Sequence, residues 1–341
     1  MPSFDKNDLI GVKPLVATSL DIVIEKLCHS LGSETISVPE SDSPVLDMTD
    51  RIYRKFPKVI SRLETDYEYV VVPSPPMMAN IDPADYDLRF IVMVHDLPAI
   101  DDKGFLGSKV KKDSLRSLSE VDMVLAMSEE TKNDLIRHTS GLVDVNNLNI
   151  EVLTQGVDRD RIYPDETQPS VYLPEKYILY VGAFQDRKNP EFLLDVLQEL
   201  PESYELVCCG DYLDENRFNE FLEYARKKDT RSRVHDLGYV SLDDLRRIYS
   251  NAEVYLHPAR FEGFGRTPVE AAICGTKPIM YEKVPAAREL GEECLKFDEF
   301  HSDQVAELVM EKPGKPISYQ HKSWKKSASD LIKLVDKNIV G

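Results

Sequence analysis

The chain has 341 residues, enough for about two domains of ordinary size. Hydrophobic residues make up 42% and charged residues 30%, a globular composition, and no apolar run reaches the ~18 residues of a membrane-spanning helix. The net charge of −18 disfavours nucleic acid as a partner, and five cysteines without a Cys-x-x-Cys pair argue against a disulfide framework and a zinc site.

In chain order, the first residues, Met1 to Lys6, lack the basic-then-apolar pattern of a secretory leader, so a cytoplasmic protein is expected. The stretch Asp8-Leu9-Ile10-Gly11-Val12-Lys13 is a poor strand with a single glycine. Residues 20–31 have helical period, and 69–73, 90–94 and 121–127 are expected to be buried strands. Residues 159–176 carry Pro164, Pro169 and Pro174 and are expected to form a linker. Beyond them, strands are expected at Tyr177–Val181, Glu205–Cys209, 234–237, Val254–His257 and Pro278–Tyr281. Amphipathic helical stretches at 190–200, 217–228 and 242–250 lie between them. This alternation implies an α/β fold: parallel sheets with helices on both faces, in two doubly wound Rossmann-like domains facing a cleft. Ligands bind such folds on the loops that follow strands.

The string Phe261-Glu262-Gly263-Phe264-Gly265-Arg266-Thr267-Pro268-Val269-Glu270 directly follows one expected strand. Thr267 and Glu270 have capping-box spacing, with Pro268 at the first helical position. Gly263 and Gly265 leave bare amides before that helix, where anions such as phosphate bind. Glu262 and Glu270 flank the loop with carboxylates that accept hydrogen bonds from sugar hydroxyls. After the strand Tyr177–Val181, Asn189 is expected to cap a helix beginning at Pro190. Arg187 and Lys188 then stand at a helix start, and paired cations there suit a diphosphate.

Together these residues resemble family 4 of the retaining glycosyltransferases, which have the GT-B fold. The most specific mark is Glu262-Gly263-Phe264-Gly265 followed by Glu270. Tyr180-Val181-Gly182 with Arg187-Lys188-Asn189 resembles the family's diphosphate loop, Cys209-Gly210-Asp211 its mid-sheet glycine turn, and Leu237-Gly238-Tyr239-Val240-Ser241 its base-contacting loop. Val94-His95-Asp96-Leu97 and Ala126-Met127-Ser128-Glu129 resemble its cleft-lining strand ends. Gln155-Gly156-Val157-Asp158 resembles the segment closing its first domain, where Asn is commoner than Gln155. The likeness runs from about 177 to 289 and, less closely, from 90 to 163.

The resemblance implies an acceptor-binding domain over 1–163, a linker at 164–176 and a nucleotide-sugar donor domain over 177–320. A C-terminal helix within 321–341 would pack back on the first domain. Arg187 and Lys188 would hold the donor diphosphate, and the loop Gly263, Phe264 and Gly265 the donor sugar or phosphate. Tyr239 and Val240 would meet the base, Glu270 the ribose and Glu262 the sugar hydroxyls. His95 would line the sugar pocket. Gly11 stands where the family places a glycine loop beside the donor phosphate, and either this loop is shortened or the first strand is missing. The implied reaction is transfer, with retention, from a UDP- or GDP-sugar to a saccharide or lipid-linked acceptor in surface-glycan assembly. No cofactor and no metal are expected. The cations Lys109, Lys111, Lys112 and Arg116 suggest peripheral contact with an anionic membrane at the inner face of the cell. Two rivals are a non-catalytic nucleotide-sugar-binding subunit and a sugar-nucleotide epimerase on the same fold.

Overall fold

The computed structural model describes residues 5–13, 19–37, 55–95, 108–210, 215–311 and 317–340. The chain divides into two compact units, one of residues 1–156 and 322–341, the other of residues 157–321.

The first unit is built on a six-stranded parallel sheet in the order β2-β1-β3-β4-β5-β6. Its strands are β1 (Leu9–Val12), β2 (Glu34–Ile36), β3 (Tyr69–Val72), β4 (Arg89–Val94), β5 (Met123–Ala126) and β6 (Ile150–Val152). Helices α1 (Ser19–Leu31), α2 (Phe56–Leu63), α3 (Ser108–Ser117) and α4 (Glu129–Thr139) lie between strands. Successive strand residues point to opposite faces, and both faces are apolar. Val70 and Val72 pack with Phe56 and Ile60 of α2 in one core, while Tyr69 and Val71 pack with Ile24 and Leu27 of α1 in the other. The second face is completed by the C-terminal helix α11 (Trp324–Val335), whose Trp324, Ala328, Leu331 and Val335 are buried there. Burying Leu331 and Val335 contributes on the order of 1.5–3 kcal/mol each.

The first strand is not missing. β1 pairs with β2 on one side and β3 on the other, and all four of its residues are buried. Gly11 is therefore not a loop glycine. A Cβ built on it would lie 2.4 Å from Cys28 Sγ and 3.0 Å from Ile24, so the glycine lets α1 pack down on the strand.

The second unit has a six-stranded parallel sheet in the order β12-β11-β10-β7-β8-β9. Strands β7 (Tyr177–Val181), β8 (Glu205–Cys209), β10 (Val254–His257) and β11 (Pro278–Tyr281) have the bounds read from sequence. β9 is Val234–Asp236, and β12 (Leu295–Phe297) is an addition the apolar pattern did not mark. Helices α5 (Glu191–Glu199), α6 (Glu215–Lys227), α7 (Leu242–Asn251), α8 (Arg266–Ile273), α9 (Pro285–Leu290) and α10 (Ser302–Met310) cover the sheet. Tyr177, Leu179 and Val181 enter one core, and Ile178 and Tyr180 the other, as two buried faces require. All five cysteines are buried and unpaired.

The expected linker at 164–176 is part of this unit, and the boundary falls at Gly156 and Val157. The Asp165 amide donates to Ser250 Oγ at 2.9 Å, and its carboxylate accepts from Arg246 at 3.0 Å and Arg247 at 3.2 Å. The Ser170 amide and hydroxyl donate to the two Asp244 oxygens at 2.8 and 2.6 Å, while Val171 and Leu173 pack on the core. Prolines shape this segment, but its polar side chains strap it to α7. Among the described residues no helix is long and apolar enough to cross a membrane.

Candidate functional site in the second unit

Strand order in the second unit reverses between β10 and β7: from β7 the chain winds outward to β8 and β9, then returns to lay β10, β11 and β12 on the other side. The loops leaving β7 and β10 therefore diverge from one crevice, the place where doubly wound sheets bind ligands. These two loops carry the charged residues singled out in the sequence.

After β7, Gly182 opens a short path to a 3-10 turn, Asp186–Lys188. Asn189 follows with φ 52°, in the left-handed region, and turns the chain into α5. Its side chain does not cap the helix. Pro190 holds the N-cap position with no side-chain cap, and Asn189 Oδ1 instead accepts from Arg260 at 3.4 Å. The turn is tied to the β10 loop by the Arg260 amide, which donates to the Arg187 carbonyl at 2.8 Å.

After β10, Glu262 reaches both cations. Arg187 Nη1 lies 3.2 Å from Glu262 Oε2, and Lys188 Nζ pairs with Glu262 Oε1. The cluster is largely shielded from water, with the Glu262 side chain 9% exposed and that of Lys188 14%. The residues expected to address a diphosphate and a sugar separately thus hold one another. Charge-assisted contacts shielded in this way are strong.

Phe264 and Gly265 shape the rest of the loop. Gly265 has φ 93°, and a Cβ there would meet Ala286 and Val284 at 3.0 and 3.1 Å, so the position requires glycine. The Phe264 carbonyl accepts from the Ala286 amide at 2.8 Å, and its ring is buried 5.7 Å from His321. The predicted capping box does not form. Gly265 is the N-cap, α8 begins at Arg266, and Pro268 is its third residue. Thr267 Oγ1 lies instead 2.7 Å from the Tyr255 hydroxyl. Glu270, one turn inside α8, pairs with Arg266 Nε at 3.1 Å and accepts from the Tyr249 hydroxyl at 3.2 Å. Burial pushes its carboxyl above the usual range, against the pull of Arg266 and Tyr249.

Tyr239 follows the edge strand β9. The Asp236 carboxylate accepts from the Gly238 amide at 2.9 Å, Gly238 adopts φ 59°, and the Tyr239 ring is left 85% exposed. Val240 is half-buried against the core.

His95 belongs to the first unit, at the carboxyl end of β4, where Gln155 Nε2 lies 3.2 Å from its Nδ1. Gln155 was noted in the sequence only for its departure from the family's commoner Asn, so its contact with His95 was missed. Asp96, Leu97 and Asp211 lie outside the described residues, as do the side chains of Lys109 and Lys111. His257 was also missed. It is the last residue of β10, fully buried behind Glu262, and read in sequence only as strand.

Residues 165–295 match the family model described as glycosyl transferases group 1. The serotype-specific mannosyltransferase WbdA of Escherichia coli is 26% identical over 242 residues, 66% of this chain and 29% of that protein, so the match spans under a third of the relative's length. Among solved structures, Anabaena HepE in complex with UDP and glucose covers 97% of this chain and 95% of its own, with a TM-score of 0.70 at 14% identity. WaaG, a glycosyltransferase involved in lipopolysaccharide biosynthesis, covers 98% and 100%, with a TM-score of 0.68 at 18% identity. At these identities the likeness shows a shared fold, the two-unit α/β architecture of GT-B proteins.

Proposed function

We propose that this chain, which carries a glycosyl transferases group 1 domain over residues 165–295, transfers a sugar from a UDP- or GDP-linked donor to an acceptor hydroxyl with retention of configuration. The observation that carries the reading is the convergence of Arg187, Lys188 and Glu262 from the loops after β7 and β10 on the switch point of the sheet.

The chemistry follows from charge. As the glycosidic bond breaks, negative charge grows on the departing diphosphate. Arg187 and Lys188, together with the amides of Phe264 and Gly265, would stabilise it in fixed positions. Glu262 would accept from sugar hydroxyls and Glu270 from the ribose. Tyr239 offers a stacking face for the base. The ends of β7 and β9 are two strand spacings apart, about 10 Å, which is the reach of a nucleoside from its phosphates. His95 is assigned to the sugar on the family resemblance. The relatives support a glycan acceptor, since WbdA is a mannosyltransferase and WaaG acts in lipopolysaccharide biosynthesis. HepE, solved with UDP and glucose, supports a nucleotide-sugar donor.

Incubation with UDP- and GDP-sugars tests the reading through slow donor hydrolysis. Release of free sugar and nucleoside diphosphate is expected. Binding without release would indicate a non-catalytic subunit, and conversion of one donor into another would indicate an epimerase. If Arg187 and Lys188 serve the diphosphate unaided, turnover should survive EDTA. A loss restored by magnesium or manganese would show that a metal shares that work.

A further inference from the structure

The ion cluster poses a problem for any anionic ligand. Where Arg187 and Lys188 turn donors toward a diphosphate, the Glu262 carboxylate gives up contacts with them, and a carboxylate that is 9% exposed needs another donor in exchange. We propose that His257 is the positioning residue that receives Glu262 when a nucleoside diphosphate takes over Arg187 and Lys188. The proposal rests on the donor reading above and adds a residue to it.

The geometry supplies the receiving group. His257 Nε2 is 3.2 Å from Glu262 Oε1, within hydrogen-bond range, yet its orientation does not make the bond. Among the described residues this buried nitrogen has no hydrogen-bond partner. A buried polar atom without a partner is costly and calls for an explanation. The other face of the ring is fixed. His257 Nδ1 lies 3.2 Å from the Tyr255 hydroxyl, which also lies 2.7 Å from Thr267 Oγ1 and 3.2 Å from the Val181 carbonyl. The two rings stack with centroids 5.9 Å apart. The Tyr255 hydroxyl has one proton to give among these neighbours; the proposal requires that it go to Nδ1, which leaves the single proton of a neutral imidazole on Nε2, facing Glu262.

The ring is held neutral. Burial, followed by the neighbouring charges of Lys188 and Arg187, pushes its protonation well below the ordinary histidine range. A neutral donor suits the exchange. Being uncharged, it competes only weakly with the two cations for Glu262. It completes a hydrogen bond once they are engaged, after a rotation of the carboxylate rather than a movement of the loop. Tyr255 and Thr267 link this seat to β10 and α8, so it is rigid where the exchange takes place.

The experiment uses UDP and GDP as probes, with calorimetric affinities on the full chain. His257→Phe keeps the ring and its stacking but removes the donor. Glu262 then stays on the cations and competes with the probe, so affinity should fall about tenfold, equivalent to about 1.4 kcal/mol. His257→Gln, which retains a donor near Nε2, should stay within about threefold of the wild type, since a hydrogen bond to a charged group is kept. In the double variant His257→Phe with Glu262→Gln the competitor loses its charge, and affinity should return to the wild-type level or above. Thermal melting confirms folding of each variant. Unchanged affinity in His257→Phe overturns the proposal. A loss that the double variant does not recover also overturns it, because that pattern belongs to a merely structural histidine. A folded wild type that binds neither UDP nor GDP would overturn the donor reading itself.

Discussion

The two units share one architecture, a six-stranded parallel sheet covered by helices, yet they place charge differently. In the second unit, three strands lie on each side of the reversal between β10 and β7, and the loops at that point bring Arg187 and Lys188 onto Glu262. In the first unit the order β2-β1-β3-β4-β5-β6 puts the reversal between β1 and β3. The turn after β3, Pro75–Met78, buries Pro75, Met77 and Met78 in the core. Its singled-out histidine, His95, follows β4 instead. A doubly wound sheet thus offers a crevice in either unit, and among the described residues the cluster of Arg187, Lys188 and Glu262 lies at that of the second.

The sharpest break of this comparison is Glu262→Gln. Loss of its charge should lower turnover by ~10²-fold, the scale of removing one transition-state contact, while UDP or GDP affinity holds or rises. Normal turnover in the folded variant would remove Glu262 from the chemistry. Lys188→Ala should weaken binding of both nucleotides by ~1.5–3 kcal/mol, the worth of a charge-assisted hydrogen bond, and calorimetry measures it. Unchanged affinity would move the anion site elsewhere.

The first unit should answer differently. Gly11→Ala forces a methyl group against Cys28 and Ile24, and overpacking of this kind costs ~1–3 kcal/mol. Denaturant unfolding should show that loss with nucleotide affinity unchanged. Weakened UDP or GDP binding in the folded variant would return Gly11 to the donor site.

The segment strapping the second unit sets a smaller, pH-dependent effect. Hydrogen bonds from Thr167, with Arg246 and Arg247 beside it, hold the Asp165 carboxyl well below its usual range. Hydrogen bonds from Ser170 lower that of Asp244. A carboxylate with a depressed folded pKa contributes stability above its unfolded value, about 3.9, and loses it as pH falls through the folded value. Acid unfolding monitored below about pH 4 should therefore be less steep in Asp165→Asn than in the wild type. Identical acid profiles would show that the strap does not depend on the charge. The smallest effect expected is at the membrane: the wild type should co-sediment with anionic liposomes at low salt, and a triple Lys→Glu variant at 109, 111 and 112 should not. Equal sedimentation would dismiss that contact.

The sequence alone determined four of the six strands of the second unit's sheet. Tyr177–Val181, Glu205–Cys209, Val254–His257 and Pro278–Tyr281 are continuous apolar runs bounded by polar turns, and a run buried on both faces needs no neighbour to be recognised. The charged loops were legible for a related reason: a local string such as Glu262-Gly263-Phe264-Gly265 states its own chemistry. Tertiary structure alone decided the rest. β1 is four residues long and interrupted by Gly11, so it became a strand only through pairing with β2 and β3, and its glycine acquired meaning only under Cys28. Residues 164–176 read as a linker because proline marks irregular backbone, whereas their attachment depends on Asp244, Arg246 and Ser250, more than 70 positions away in the chain. Thr267 and Glu270 had the spacing of a capping box, but Tyr255 and Tyr249 reached them from outside the helix, and those contacts prevailed over the local motif. His257 looked like one more strand residue until folding set it behind Glu262, because the distance between two side chains in space is not written in either one's neighbours along the chain.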